Sequence, residues 1–410
     1  MKQQLVVIGN GMAGIRTVEE LLAIAPDKYD ITVFGSEPYG NYNRIMLSSV
    51  LSGEKNIEDI VINDRQWYVD HNIVLNAGPD KAVVDINRSS QQVIARDGTH
   101  AHYDRLLIAT GSKPVVPDIP GADLKGVISF RAIFDVNTMI EYSRNHQKAI
   151  VLGGGLLGLE AANGLALRGM QVTVVHSKPV LLNRQLDQQA GEMLQRELEA
   201  RGLQFKMPAR TQQLIADGNG HVKAVRFADD SELECDLFIT AIGIRPNIAL
   251  AKTAKLYCER GIVVNDSLQS YDPRIYAVGE CIQHRGETFG LVAPLFEQAK
   301  VCANHLSGRG TADYKTLPTA TKLKVTGISL FSVGNFLGDE HSESIHFCDP
   351  ALGIYKKLII QDNKLIGAIL YGDTADGSWY HELLNGSQDI TDIREYLIFG
   401  QRYLPTPEAA

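Results

Sequence analysis

Residues 5–14 read LVVIGNGMAG, and residues 149–158 read AIVLGGGLLG. Each is a short apolar run that breaks into three glycines at fixed spacing. This duplication constrains the fold more than any other feature of the chain. In the first copy, residues 5–8 read as a buried parallel strand, Gly9-Asn10-Gly11-Met12-Ala13-Gly14 as a G-x-G-x-x-G turn, and residues 15–23 as a helix. Gly9 permits the tight turn, Gly11 lets a pyrophosphate approach the backbone, and Gly14 lets the helix pack close to the strand. Met12 and Ala13 lie in the turn that leads into this helix, at whose N-terminus free N–H groups and the dipole favour anions. A second strand is predicted over residues 31–34. Glu37 follows it at the offset of roughly 20 residues where a carboxylate accepts the ribose hydroxyls of an adenosine.

The second copy repeats the pattern. Gly153-Gly154-Gly155-Leu156-Leu157-Gly158 follows a strand over residues 149–152, and a helix over 159–167 and a strand over 171–175 come next. Gly153, Gly155, Leu156, Leu157 and Gly158 are the predicted phosphate contacts. Two such units imply two dinucleotides, the usual arrangement for a tightly bound flavin and a diffusing nicotinamide. Where an acid would mark a preference for NAD, this unit has His176-Ser177-Lys178. Nothing there repels a 2′-phosphate. Lys178 either pairs with that phosphate or is solvated, and His176 is placed to bond the ribose, so NADH and NADPH both stay open.

Composition narrows the classes. The 410 residues exceed one ordinary core, so two or three domains are expected. A net charge of −8 argues against nucleic acid as partner. No apolar run is long enough to span a bilayer, and the start, MKQQLVVIG, enters a strand directly, which predicts a cytoplasmic protein without a signal peptide. Cys235, Cys258, Cys281, Cys302 and Cys348 are scattered and form no C-x-x-C pair, so no disulfide framework and no metal site are predicted.

Further motifs carry a resemblance. The two glycine turns, LLIATGSKP (106–114), FITAIGIRPN (238–247) and IYAVGEC (275–281) occur in an order that resembles the pyridine nucleotide–disulfide oxidoreductase superfamily. RQLDQQAGEML, GIVVNDSLQSYDPRIYAVGEC and FGLVAPLFEQAK resemble the N-terminal flavoprotein part of assimilatory NAD(P)H nitrite reductase large subunits. Stand-alone electron-transfer flavoproteins of nitrate assimilation are similar. The resemblance implies an α/β fold with two Rossmann-like dinucleotide-binding domains and a small α+β C-terminal domain. The FAD domain (1–111 and 244–320) would be interrupted by the NAD(P) domain (112–243), and 321–410 would form an interface-like domain. Ala109, Thr110 and Gly111 would cross over by the flavin; Gly243, like Gly111, is a glycine beside a strand end that suits close approach to a cofactor. Gly279 and Glu280 would lie near the ribityl chain and pyrophosphate, where the superfamily more often has Asp. Ala293 and Pro294 would also touch FAD, Arg44 would lie by the flavin or its pyrophosphate, and Glu160 would orient the nicotinamide.

One departure is informative. Residues 39–51, YGNYNRIMLSSVL, hold no cysteine where the disulfide-reducing members carry a redox cysteine, and none occurs before Cys235. Disulfide exchange needs a thiolate. The expected activity is therefore an FAD-dependent NAD(P)H oxidoreductase: hydride passes from NAD(P)H to FAD, and electrons leave for a metalloprotein. Nitrate or nitrite reductase is the expected acceptor. A rubredoxin or ferredoxin is the alternative, ahead of a disulfide or peroxide reductase or a flavin-binding scaffold. The C-terminal region is predicted to hold antiparallel strands over 321–336 and 354–370, a hairpin at 362–367 and a closing helix over 390–398. Residues 321–410 carry seven basic and twelve acidic residues, a net of −5, which makes either a solvated face or a docking face.

Overall fold

Leu5, Val6, Val7 and Ile8 are all buried, as a strand covered on both faces requires. In the computed structural model, which describes residues 2–316, 320–325 and 327–404, they belong to strand Gln3–Ile8 at the centre of a five-stranded parallel sheet. Its neighbours are Arg105–Ile108 and then Ile275–Ala277 on one side, and Tyr29–Gly35 and then Val74–Ala77 on the other. Helices Met12–Ile24 and Val292–Leu306 pack on each other. The chain returns to this sheet from far along the sequence, so the first compact unit is discontinuous: Met1–Val115, Arg131–Ile133 and Gly243–Thr316.

The second unit comprises Val116–Phe130, Phe134–Ile242 and Leu317–Ala410. It contains another five-stranded parallel sheet, in the order Val127–Ser129, Leu237–Thr240, Lys148–Leu152, Gln171–Val175, Gln204–Lys206. It also contains an antiparallel sheet of five strands, ordered Thr321–Val325, Ile328–Gly334, Lys364–Tyr371, Ile354–Gln361, Glu343–Asp349. Helix Gly377–Asn385 covers that sheet, and Trp379, Tyr380 and Leu383 enter its core. The turn expected in 362–367 is a two-residue hairpin with Asp362 and Asn363 both at positive φ, the conformation that Asp and Asn tolerate best after glycine.

The helix expected over 390–398 does not form. Thr391–Ile393 and Leu397–Phe399 are separate 3-10 turns, closed by i→i+3 bonds such as Ile393 N–H to Ile390 O (3.0 Å). Ile390 and Leu397 are both fully buried anchors. A 3-10 segment rises further per residue than an α-helix and spans between them. The boundary expected at 320 adjoins residues 317–319, and the expected 321–410 domain includes 326 and 405–410; these residues lie outside those described. No helix among the described residues is long and apolar enough to cross a membrane.

Candidate functional site

The two glycine turns are built alike. Gly9 has φ +117°, and a side chain there would place its first carbon 2.1 Å from the Ala109 carbonyl oxygen. At Gly14 it would lie 2.7 Å from the Gly9 carbonyl oxygen. Nothing lies within 4 Å of the same position at Gly11. In the second turn Gly153 is filled by the Ala241 carbonyl oxygen (2.3 Å) and Gly158 by that of Gly153 (2.0 Å), and Gly155 again faces open space. So the outer glycines answer to the chain's own packing, and the middle one borders a cradle.

Helices Met12–Ile24 and Leu156–Leu167 start at these middle glycines. Neither has a side-chain cap or an acid in its first turn. Their leading N–H groups, those of Met12 and Ala13 and of Leu156 and Leu157, suit a phosphate. These cradles, each at the C-terminal edge of a parallel sheet, fit the diphosphate of a dinucleotide.

Around the first cradle the tertiary structure gathers residues from distant segments. Glu37 accepts from Arg44 Nη2 through Oε1 (2.6 Å) and from the Tyr42 hydroxyl through Oε2 (2.7 Å). Arg44 also donates to the Arg131 carbonyl oxygen (2.6 Å). Burial, with Glu37 alongside, raises the Tyr42 pKa, so its phenol stays protonated. Thr110 Oγ1 donates to the Asn247 carbonyl oxygen (2.8 Å), and the Asn247 N–H donates to Gly111 O (2.9 Å), which fastens the Ala109-Thr110-Gly111 crossover. Glu280 accepts from Ser112 Oγ (2.9 Å) and from Arg131. Ala293 and Pro294 occupy the first turn of Val292–Leu306, which also lacks a side-chain cap and first-turn acids. Proline is tolerated there because that position has no intrahelical N–H bond to lose.

Two residues of this network escaped sequence reasoning. Asn10, the first variable position of the glycine motif, accepts from the fully buried Tyr68 hydroxyl (2.6 Å) and donates to the Tyr39 carbonyl oxygen (3.1 Å). Arg131 belongs to a three-residue visit to the first unit. Asn10 and Tyr68 are 58 positions apart, and Arg131 and Glu280 are 149 apart, so no local pattern links them. The only sequence signal was the position of Asn10 inside the motif.

In the second unit, Glu160 is half-buried on helix Leu156–Leu167. Gly243, where the chain re-enters the first unit, borders open space. His176 packs under the glycine turn. Its Nδ1 accepts the Gly154 N–H (3.2 Å), and a side chain at Gly154 would lie 2.8 Å from the imidazole Cγ. Burial lowers the His176 pKa and so favours the neutral ring, whose Nε2 is buried without a hydrogen-bond partner among the described residues. Lys178 is exposed. Cys281, next to Glu280, is fully buried with its thiol against the Val278 carbonyl oxygen (3.2 Å), and burial pushes its pKa up to about 11. Such a thiol is protonated at neutral pH and is a poor nucleophile.

The chain belongs to the pyridine nucleotide-disulphide oxidoreductases, whose family profile matches residues 3–304. These are FAD-dependent enzymes that use NAD(P)H, and the two open cradles fit two such dinucleotides. Residues 319–388 match the C-terminal domain of rubredoxin NAD+ reductase. The chain is similar to the nitrite reductase [NAD(P)H] of Bacillus subtilis, 46% identical over 397 residues, which cover 97% of this chain and 49% of that one. It is also similar to the assimilatory nitrate reductase electron transfer subunit of the same organism, 45% identical over 397 residues, 97% of this chain and 51% of that one. The chain thus spans about half the length of these relatives. A ferredoxin reductase from Rhodopseudomonas palustris has the same fold, with a TM-score of 0.85 at 24% identity over 95% of this chain and 96% of that one.

Proposed function

We propose that this chain draws electrons from NAD(P)H into a bound FAD and passes them to a separate metalloprotein of nitrate or nitrite assimilation in the cytoplasm. The observation that carries the reading is the pair of open glycines, Gly11 and Gly155, each at the head of an uncapped helix. The similarity to an electron transfer subunit of assimilatory nitrate reductase supports the choice of pathway.

On this reading, residues 1–111 and 244–320 hold FAD and 112–243 hold the nicotinamide dinucleotide. When bound, the flavin supplies an electron sink that takes up a hydride and releases electrons singly. The Met12 and Ala13 amides bind its diphosphate, Glu37 accepts the ribose hydroxyls, and Arg44, braced by Glu37, sets positive charge at the same end. Glu280, held by Ser112 and Arg131, orients the ribityl side. The Leu156 and Leu157 amides bind the second diphosphate, and His176 shapes that turn from beneath. Glu160 would orient the nicotinamide, and the lack of an acid at His176-Ser177-Lys178 would leave a 2′-phosphate unopposed and open to pairing with the exposed Lys178. The buried thiol of Cys281 takes no part.

The match of residues 319–388 to a rubredoxin reductase domain favours a second reading, in which a rubredoxin is the acceptor. Purified protein should be yellow, with about one FAD per chain. A preparation that stays colourless after FAD addition refutes the proposal. Reduction by NADH, followed by addition of oxidised rubredoxin or of a nitrite reductase haem domain, decides between the acceptors.

A further inference from the structure

Strand Ile275–Ala277 leaves its sheet just before Glu280. The last ladder bond there runs from the Val278 N–H to Ile108 O (3.0 Å). The next amide, that of Gly279, has no strand to bond, because the chain turns away at φ +92°. A buried amide without a partner is costly. Its acceptor comes from another element: Gln298 Oε1, at 2.8 Å. Gln298 sits mid-helix in Val292–Leu306 and is wholly buried, with Nε2 facing the Tyr314 hydroxyl at 3.5 Å. An uncharged amide in such a place is poorly explained by packing, since a leucine would fill it without desolvating two polar atoms.

What Gln298 holds is more telling. A side chain at Gly279 would come within 3.0 Å of Ala13 Cβ, so the turn rests on the first glycine cradle. Glu280, the next residue, carries the contacts to Ser112 and Arg131. Pro294 lies four residues before Gln298, one turn away on the same helix face. A single side chain thus ties together three segments: the helix that begins beside Ala293 and Pro294, the Gly279–Glu280 turn and, through Ala13, the phosphate cradle.

We infer that Gln298 is a positioning residue of the flavin site, which sets the Gly279–Glu280 turn against the cradle without itself touching the cofactor. The inference rests on the reading of the first cradle as the FAD site. If it is right, removing the acceptor releases the Gly279 amide and lets Glu280 shift from Ser112 and Arg131. FAD affinity and the flavin's electronic environment should then change together.

The test reconstitutes apoprotein of the full chain with FAD, wild type beside Gln298→Leu, Gln298→Met and Gln298→Glu. Fluorescence titration gives the FAD dissociation constant, visible absorption and circular dichroism report the flavin environment, and spectroelectrochemistry gives its midpoint potential. Gln298→Leu should weaken FAD binding about tenfold, equivalent to about 1.4 kcal/mol, and shift both the flavin spectrum and the potential. Gln298→Glu, which keeps an acceptor for the Gly279 N–H, should return affinity to within about threefold of wild type. Should the leucine variant fail to fold, the unbranched methionine variant replaces it. A folded apolar variant with wild-type affinity, spectrum and potential overturns the inference. So does a set in which no apolar variant folds at all, since Gln298 would then serve only the fold. Failure of the wild-type apoprotein to bind FAD instead removes the reading of the cradle, whatever the variants do.

Discussion

Arg44 and Tyr42 each spend a donor on the Glu37 carboxylate, and Arg44 reaches on to the Arg131 carbonyl. Glu37 and Arg44 each stand out in the sequence, but their pairing, and the part Tyr42 takes in it, do not. The pair Glu37–Arg44 is about two-thirds shielded from solvent, which makes it more than a surface salt bridge. If Glu37 accepts the ribose as proposed, Glu37→Ala removes that acceptor and also leaves Arg44 without its brace. FAD should dissociate roughly ten- to a hundredfold more readily, since charge-assisted hydrogen bonds contribute about 1.5–3 kcal/mol. Fluorescence titration of apoprotein measures this, and an unchanged dissociation constant would show that Glu37 serves Arg44 and Tyr42 alone. At the second unit the sequence offered His176 as a ribose ligand. The structure shows its Nδ1 occupied by the Gly154 amide and its Nε2 buried, so the ring packs under the turn instead.

At the scale of the strand–turn–helix element, motif spacing and packing make different demands on the three glycines. Gly9→Val should abolish folding, because it needs both a left-handed φ and the space now filled by Ala109 O. Gly11 and Gly155 have φ of −96° and −84°, values any residue adopts, and open space beside them. Gly11→Val should therefore fold and melt within a few degrees of wild type, yet purify without FAD. Gly155→Val should stay yellow but be reduced by NAD(P)H at least a hundredfold more slowly, as stopped-flow absorbance would show. Loss of colour in Gly155→Val, or its retention in Gly11→Val, would reverse the assignment of the two cradles. Elements whose pattern was purely local were legible: both glycine turns and the Asp362-Asn363 hairpin. The 390–398 segment was not, because its apolar spacing resembles a helix while its two anchors are set by the sheet beneath.

Across the whole molecule, each unit carries a carboxylate whose charge is favoured by the fold. In the first, hydrogen bonds from Arg285 and then His284 hold the Asp266 pKa down to about 2. In the second, Lys356 holds Asp373 below the usual carboxylate range. A folded pKa below the unfolded value near 3.9 means that stability from these pairs is complete above about pH 4 and is lost as pH falls towards 2. The chain has two tryptophans, Trp67 in the first unit and Trp379 in the second. Urea unfolding of the Trp379→Phe and Trp67→Phe variants between pH 5 and pH 2.5 should therefore report each unit's acid loss separately. Asp266→Asn should flatten the acid limb seen by Trp67 and leave that seen by Trp379 unchanged. An unaltered acid limb at Trp67 would show that other carboxylates govern it.

What the sequence by itself determined is whatever repeats at short range: two glycine turns, their strands and helices, the acidic residue after the first, and the absence of a thiol at residues 39–51. Such features depend on the φ, spacing and polarity of residues within one or two turns of each other, so a one-dimensional pattern preserves them. Only the tertiary structure decided which partners complete the site. Gln298 meets Gly279, Arg131 meets Glu280, and Tyr68 meets Asn10, because backbone and side-chain polar groups left over at strand ends must find acceptors and donors wherever the packed sheets and helices bring them. That requirement is strict in energy and indifferent to sequence distance.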